Sequence, residues 1–176
     1  SKHNEFLLAL GYKGEMIKRH FGNGARWGVT IRYMEEDERL GTVGALRLLP
    51  ERPTQPLVVM NADLLTRVNF RQLMDFHHQQ EARATMCVRA YDFQVPFGVV
   101  QIEEDQITRI DEKPLHGFFV NAGIYVLDPD LIDLIPEEGL FDMTTLFDRI
   151  LEAGHRTAAF PIREYWLDVG RHDDLD

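Results

Sequence analysis

Along the chain, short apolar runs alternate with stretches whose apolar residues recur every three or four positions, and this predicts strands and helices in turn. EFLLALGY predicts a first strand. KGEMIKRHFG predicts a helix, with Met16, Ile17 and Phe21 at helical spacing and Gly22 as its stop. WGVTIRYM alternates as a strand does. TVGALRLLP, with Val43, Leu46 and Leu49 three apart, predicts a helix ended by Pro50. PLVVMN is apolar nearly throughout, the pattern of a strand covered on both faces of a parallel sheet. NFRQLMDFHHQQEA sets Phe70, Leu73, Met74 and His77 along one helical face, and ATMCVRAY predicts the next strand.

The second half reads differently. FGVVQI and ITRIDE flank EEDQ (103–106), the pattern of an antiparallel hairpin. FFVNAGIYVL predicts a strand interrupted at Asn121-Ala122-Gly123. PDLIDLI and MTTLFDRILEAG predict helices, the second closed by Gly154, and TAAFPI and YWLDVG predict short terminal strands. Strands alternating with helices predict a three-layer α/β fold: a mostly parallel, mixed sheet with right-handed crossovers and a β-hairpin insertion. One domain over residues 1–176 is expected, since the length suits one core and no repeat, low-complexity tract or linker divides it.

Composition narrows the function. The apolar fraction of 44% and charged fraction of 27% are those of a globular protein. A net charge of −10 argues against nucleic acid as a partner, because phosphate backbones select for excess Lys and Arg. It leaves room for a phosphorylated small molecule, since one bound cation reverses the local field. Cys87, the single cysteine, lies in an apolar run and is expected in the core. No run reaches the ~18 apolar residues of a membrane span, and no signal-peptide pattern is present, so a cytoplasmic protein away from membranes is the simplest expectation. GYKGE, after the first strand, matches neither G-x-G-x-x-G nor G-x-x-x-x-G-K-[ST], and Gly11 is read as a turn residue.

Polar residues break the strand pattern at four places. Asn61-Ala62-Asp63 ends the most apolar strand. Glu112-Lys113-Pro114 ends the second hairpin strand, Asn121 sits inside FFVNAGIYVL, and Asp168 follows EYWL. Each has a plain structural explanation. Asp63 could cap a turn, Glu112 and Lys113 could be a solvated pair, Asn121 could be a satisfied amide or mark a bulge, and Asp168 could be a turn residue before Gly170. Together they fit a site, because ligands of open α/β sheets gather at strand ends. Two carboxylates can hold Mg²⁺ against triphosphate oxygens, a lysine compensates a second phosphate, and a carboxylate with an amide suits sugar hydroxyls. Phosphoryl transfer asks mainly for such positioning and charge. No Ser–His or Cys–His arrangement is evident. The seven histidines lack metal-ligand spacing, and His77-His78 is read as a polar helix face.

ERLGTVGALRLLP, VVMNADLL, VPFGVV, IDEKP, FVNAGIYVLDP and FPIREYWLDVGR occur in this order, and their order and spacing resemble the sugar-phosphate nucleotidyltransferases. The flavour is that of the mannose-1-phosphate guanylyltransferase-like branch, where regulatory domains often precede the catalytic one. The resemblance runs from about Glu5 to Asp173. It implies a Rossmann-like nucleotidyltransferase domain that joins a sugar 1-phosphate to a nucleoside triphosphate, releasing pyrophosphate, in the making of polysaccharide precursors. It implies that Gly41 and Thr42 border the base, and that Asp63 and Asp168 bind Mg²⁺. Gly98 would offer backbone contacts to the sugar. Glu112 would hold the sugar hydroxyls and Lys113 the sugar phosphate, with Asn121 and Gly123 completing the pocket. Asp63, Lys113 and Asp168 carry the catalytic expectation.

The chain departs from the family pattern twice. Ala62 stands where the family usually has glycine. The leading strand, its GGxGTRL loop and the following helix have no counterpart, so the resemblance implies an N-terminally incomplete domain, inactive alone, with a further N-terminal segment or regulatory domain elsewhere. Ser1 in place of an initiator methionine fits the same expectation. A non-catalytic sugar-nucleotide-binding or regulatory module is the alternative. A glycosyltransferase is the third option, although NADLL is not the Asp-x-Asp motif common there. A homo-oligomer stays open, because the aromatics of REYWLDVGR suit a subunit contact or a core equally well.

Overall fold

The computed structural model describes residues 5–36 and 38–170; Ser1 and the end of the last motif, from Arg171 on, lie outside them. The chain folds as a mixed α/β protein with parallel and antiparallel pairings, and its residues sort into two compact units. One comprises the residues up to Leu57 with Leu127–His155, the other Val58–Val126 with the chain from Arg156 onward.

In the first unit, β1 (Glu5–Leu10) and β2 (Thr30–Glu35) pair in parallel, Glu5 opposite Thr30 and Leu10 opposite Glu35. Helix α1 (Gly14–Phe21) connects them and ends at Gly22, whose N–H still donates to the Lys18 carbonyl at 2.8 Å and whose φ of 54° turns the chain out of the helix. The two predicted helices that end at prolines are instead 3₁₀ turns, Gly44–Leu48 and Pro129–Leu134. The residue before a proline is driven out of the helical region. Leu49, before Pro50, has ψ 124°, and Ile135, before Pro136, has ψ 125°. Neither segment has room for a second α-turn.

The second unit is built on a four-stranded sheet. The strands are β3 (Leu57–Met60), β5 (Ala84–Gln94), β8 (Leu115–Leu127) and β9 (Thr157–Pro161), in the order β3-β8-β5-β9. β5 and β9 run parallel, Ala84 opposite Thr157 and Val88 opposite Pro161. β4 (Leu64–Thr66), too short to show as a period in the sequence, pairs antiparallel with β10 (Trp166–Asp168). β6 (Val99–Glu103) and β7 (Gln106–Asp111) form the expected hairpin. Its two turn residues, Glu104 and Asp105, both take positive φ (45° and 66°), the hand that matches strand twist. β3 is not covered on both faces as its sequence predicts. It lies at the sheet edge, with Leu57 to Val59 half-buried and Met60 38% exposed.

Helix α2 (Phe70–Gln79) starts at Asn69, whose side-chain oxygen accepts the N–H groups of Arg71 and Gln72 at 3.1 and 3.2 Å. Leu73 packs into a core with Leu64, Val68, Cys87, Ala122, Ile124, Val126 and Ile162. His77 lies on this buried face, not on a polar one, and its Nδ1 meets the Thr85 hydroxyl at 2.8 Å. A buried imidazole is tolerated when its nitrogens are satisfied. In the first unit, helix α3 (Met143–Glu152) buries Met143, Leu146, Phe147 and Ile150 at helical spacing.

Cys87 is fully buried, and burial pushes its thiol up from an ordinary 9.0 to about 12. Only the thiolate is nucleophilic, so the native side chain should be inert. We expect iodoacetamide at pH 8 to label Cys87 slowly in the native protein and quickly in urea. The raised value also fixes a sign: the fold holds the neutral thiol, so stability should fall as pH rises above about 9, where the unfolded chain gives up the proton first. Rapid native labelling would contradict the buried placement.

Candidate functional site

Asp63 lies in the turn between β3 and β4 and is exposed, so its charge stays in water and no burial cost arises. That turn is pinned at both ends. The Asn61 N–H donates to the Gly123 carbonyl on β8 at 2.9 Å, and the Asp63 carbonyl accepts the Val169 N–H at 2.8 Å. Ala62 is not among the residues of positive φ, so its methyl sits there without backbone strain.

The β4–β10 register sets Asp168 opposite Leu64, directly beside Asp63 in the chain. After β10 the chain turns so that the Gly170 N–H donates to Asp168 Oδ1 at 3.0 Å. A Cβ on Gly170 would lie 2.6 Å from Asp63 Oδ2 and 3.1 Å from Asp168 Oδ1. An oxygen of each carboxylate therefore lies close to Gly170, and the two acids converge there. Among the described residues no group of three His, Cys, Asp or Glu is placed to hold a metal ion. A cation here would have two protein carboxylates and would draw its other ligands from water or substrate, the usual habit of Mg²⁺.

Gly123 meets Asn61 and Leu64, the residues on either side of Ala62-Asp63, and Asn121 is bonded to Gly123. The Asn121 side-chain oxygen accepts the Gly123 N–H at 2.9 Å, and Gly123 has φ 70°. A Cβ on Gly123 would meet Asn61 Nδ2 and Leu64 Cδ1, each at 2.9 Å. Asn61 thus belongs with Asn121 and Gly123. The one signal for it was its place in the break Asn61-Ala62-Asp63. Trp166 ties β10 to β8 through its indole N–H, which donates to the Ala122 carbonyl at 2.8 Å.

The other predicted residues fall into two further groups. Gly98 and Glu112 meet across the base of the hairpin, where a Cβ on Gly98 would lie 3.1 Å from Glu112 Oε2. Lys113 follows with φ 46°, and its carbonyl accepts the Gln94 side-chain N–H at 3.3 Å. Glu112 and Lys113 precede β8, and the strand from Leu115 to Asn121 puts ~20 Å between its start and the Asn121 cluster at ~3.3 Å per residue. Among the described residues neither makes a hydrogen bond or ion pair with Asp63 or Asp168.

Gly41 and Thr42 belong to the first unit. Gly41 has φ 86°, and a Cβ there would lie 2.5 Å from the Phe141 carbonyl oxygen. The Thr42 hydroxyl accepts the Met143 N–H at 2.8 Å and lies 3.3 Å from Asp142 Oδ1, which also accepts the Thr42 N–H at 3.0 Å. This loop is therefore shaped by the start of α3, and the hydroxyl of Thr42 is already committed.

Comparison with known proteins agrees with the fold and with the family resemblance of the sequence. The family model described as nucleotidyl transferase matches residues 1–176. The mannose-1-phosphate guanyltransferases of Debaryomyces hansenii and Candida albicans are each 32% identical over 180 residues, covering 97% of this chain. The chain spans about half, 49%, of the length of these relatives. Among solved structures, a candidate glucose-1-phosphate thymidylyltransferase from Bacillus anthracis, in complex with sucrose, superposes with a TM-score of 0.70 at 23% identity, covering 96% of this chain and 72% of that one. HddC from Yersinia pseudotuberculosis, complexed with GMP-PN, superposes at 0.67 with 20% identity, over 96% and 74%. No helix among the described residues is long and apolar enough to cross a membrane.

Gly123 provides the sharpest test of the cluster. Alanine there combines a disfavoured φ with contacts too close to Asn61 and Leu64, so Gly123→Ala should destabilise the protein by about 1–3 kcal/mol. Urea denaturation followed by tryptophan fluorescence measures it, and an unchanged midpoint would mean that β8 runs past Asn61 differently. With a family model matched over its whole length and relatives above 30% identity, the chain belongs to the nucleotidyl transferase family.

Proposed function

We propose that this chain is part of an enzyme that transfers a nucleotidyl group from a nucleoside triphosphate to a sugar 1-phosphate, forming an NDP-sugar and pyrophosphate. A mannose-1-phosphate guanylyltransferase is the specific form suggested by the relatives' names. The observation that carries the proposal is the convergence of Asp63 Oδ2 and Asp168 Oδ1 on Gly170. Two carboxylates brought together on turns at the end of short strands form a donor set that suits Mg²⁺. When bound, the cation would neutralise phosphate oxygens and favour their in-line approach.

The chain's own residues have separate tasks in this reading. Asp63 and Asp168 fix the place of the charge, and their positions are fixed in turn by backbone bonds. Asn121, held by the Gly123 N–H and by a side-chain hydrogen bond with Tyr125, is a fixed amide that borders the sugar pocket in this reading. Gly41 and Thr42 shape a loop against α3, and in this reading that loop borders the base with its backbone. Gly98, Glu112 and Lys113 enter on the family pattern, as backbone, hydroxyl and phosphate contacts for the sugar phosphate.

The test is thermal stability with GTP, mannose 1-phosphate or GDP-mannose, each with and without Mg²⁺. A ligand at a hundred times its Kd adds ~2.7 kcal/mol to stability, a shift of several degrees. Asp63→Asn and Asp168→Asn should each remove the Mg²⁺-dependent part of the shift and leave the unliganded Tm within about 2 °C, since both carboxylates are at least partly solvated. Mg²⁺ dependence that survives in both variants would refute the reading. Pyrophosphate release from the same mixtures separates an enzyme from a module that binds the sugar nucleotide without turning it over.

A further inference from the structure

Gly170 is not a glycine that its turn requires. Its φ lies outside the left-handed range, unlike Gly41 and Gly123, so the backbone would accept an L-residue without strain. Its N–H bond to Asp168 Oδ1 is available to any residue but proline. What a side chain would meet is the pair of carboxylates, with Asp63 Oδ2 at 2.6 Å and Asp168 Oδ1 at 3.1 Å. The first distance is far inside van der Waals contact.

We infer that Gly170 is a positioning residue, whose lack of a side chain lets the Asp63 and Asp168 carboxylates converge as a pair fit for a divalent cation. The inference rests on the reading of these two carboxylates as metal ligands. A methyl group at position 170 would clash with Asp63 Oδ2, and the strain has a cheap release. Asp63 is exposed, so its carboxylate can rotate away into water. The backbone bonds that hold the loop, from Val169 to the Asp63 carbonyl and from residue 170 to Asp168, would survive the rotation. The variant should therefore keep its fold and lose the geometry of the carboxylate pair. A turn glycine would behave the opposite way, losing stability first.

The experiment uses Mn²⁺ alone as the probe, read by paramagnetic broadening of backbone amide signals, with Tm recorded in parallel. In the wild-type protein the amides of Asp63, Leu64 and Val169 should broaden first. In Gly170→Ala they should need about tenfold more Mn²⁺, the scale of loss when the support of a metal ligand is removed, while Tm shifts by no more than about 2 °C. A Gly170→Ala protein that responds to Mn²⁺ as the wild type does overturns the inference. So does one that fails to fold, because the release through Asp63 would then not exist. If the wild-type amides around Asp63 and Asp168 do not respond at all, the metal reading itself falls. The wild-type arm alone decides that.

Discussion

The candidate site depends on the pairing of two three-residue strands. β4 and β10 come from distant parts of the chain, and only their register, Asp168 opposite Leu64, sets the second carboxylate beside the first. A ladder this short cannot carry the entropy of closing so long a loop. It is held by what surrounds it. The Arg67 N–H and the Thr66 hydroxyl both donate to the Tyr165 carbonyl, at 3.0 and 3.2 Å, extending the pairing at one end. Val169 extends it at the other, through its bond to Asp63. Trp166 anchors β10 to Ala122, and the Arg89 guanidinium donates to the Trp166 carbonyl at 3.0 Å. Leu64 sits in the core between Val68 and Ile124 and fixes the depth of β4.

This arrangement explains why a carboxylate ends an apolar strand. The apolar run is needed to dock β3 against β8, but the sheet stops at Met60, and the chain turns out to solvent before β4 re-enters the core at Leu64. Asp63 is an exposed residue of that excursion. The charge is solvated while its main chain is bonded, which is how a carboxylate can be held in place without being buried. The neighbouring Asn61, Asn121 and Gly123 use backbone and amide bonds in the same way. Polar groups at this sheet end are satisfied locally and leave the oxygens of Asp63 free of hydrogen-bond donors among the described residues.

Much of this was legible in the sequence, and the misses have physical reasons. Periodicity finds elements long enough to express a period, so α1, α2, α3 and the hairpin appear where the pattern puts them. It fails for β4, which is only three residues long. It fails for TVGALRLLP and PDLIDLI, where spacing of three describes a 3₁₀ turn as well as an α-helix and the proline decides between them. His77 was placed on an apolar face by its spacing and on a polar one by its chemistry. Spacing was the better guide, because Thr85 supplies the missing partner. Asp63 and Asp168 stood out as charges at strand ends. Gly170 did not, because a glycine after an aspartate is the ordinary mark of a turn, and only the distances to two carboxylates distinguish it.

Glu112 and Lys113 show what the same pattern cannot fix. They precede a stretch of β8 whose residues Leu115 to Phe119 are all exposed, including Phe118 at 55% and Phe119 at 73%. The facing stretch of β5, Tyr91 to Gln94, is exposed as well. Backbone bonds such as that from the Val95 N–H to the Pro114 carbonyl, at 3.1 Å, hold this ribbon together, with little apolar packing behind it. Segments held by exposed backbone bonds open at far lower cost than core strands. Asp63 and Asp168 are positioned by a register that the core enforces, whereas Glu112 and Lys113 are positioned by a ribbon that the core does not touch. A ligand contacting both groups would therefore meet a fixed main chain at the carboxylates and a loosely packed ribbon at Glu112 and Lys113.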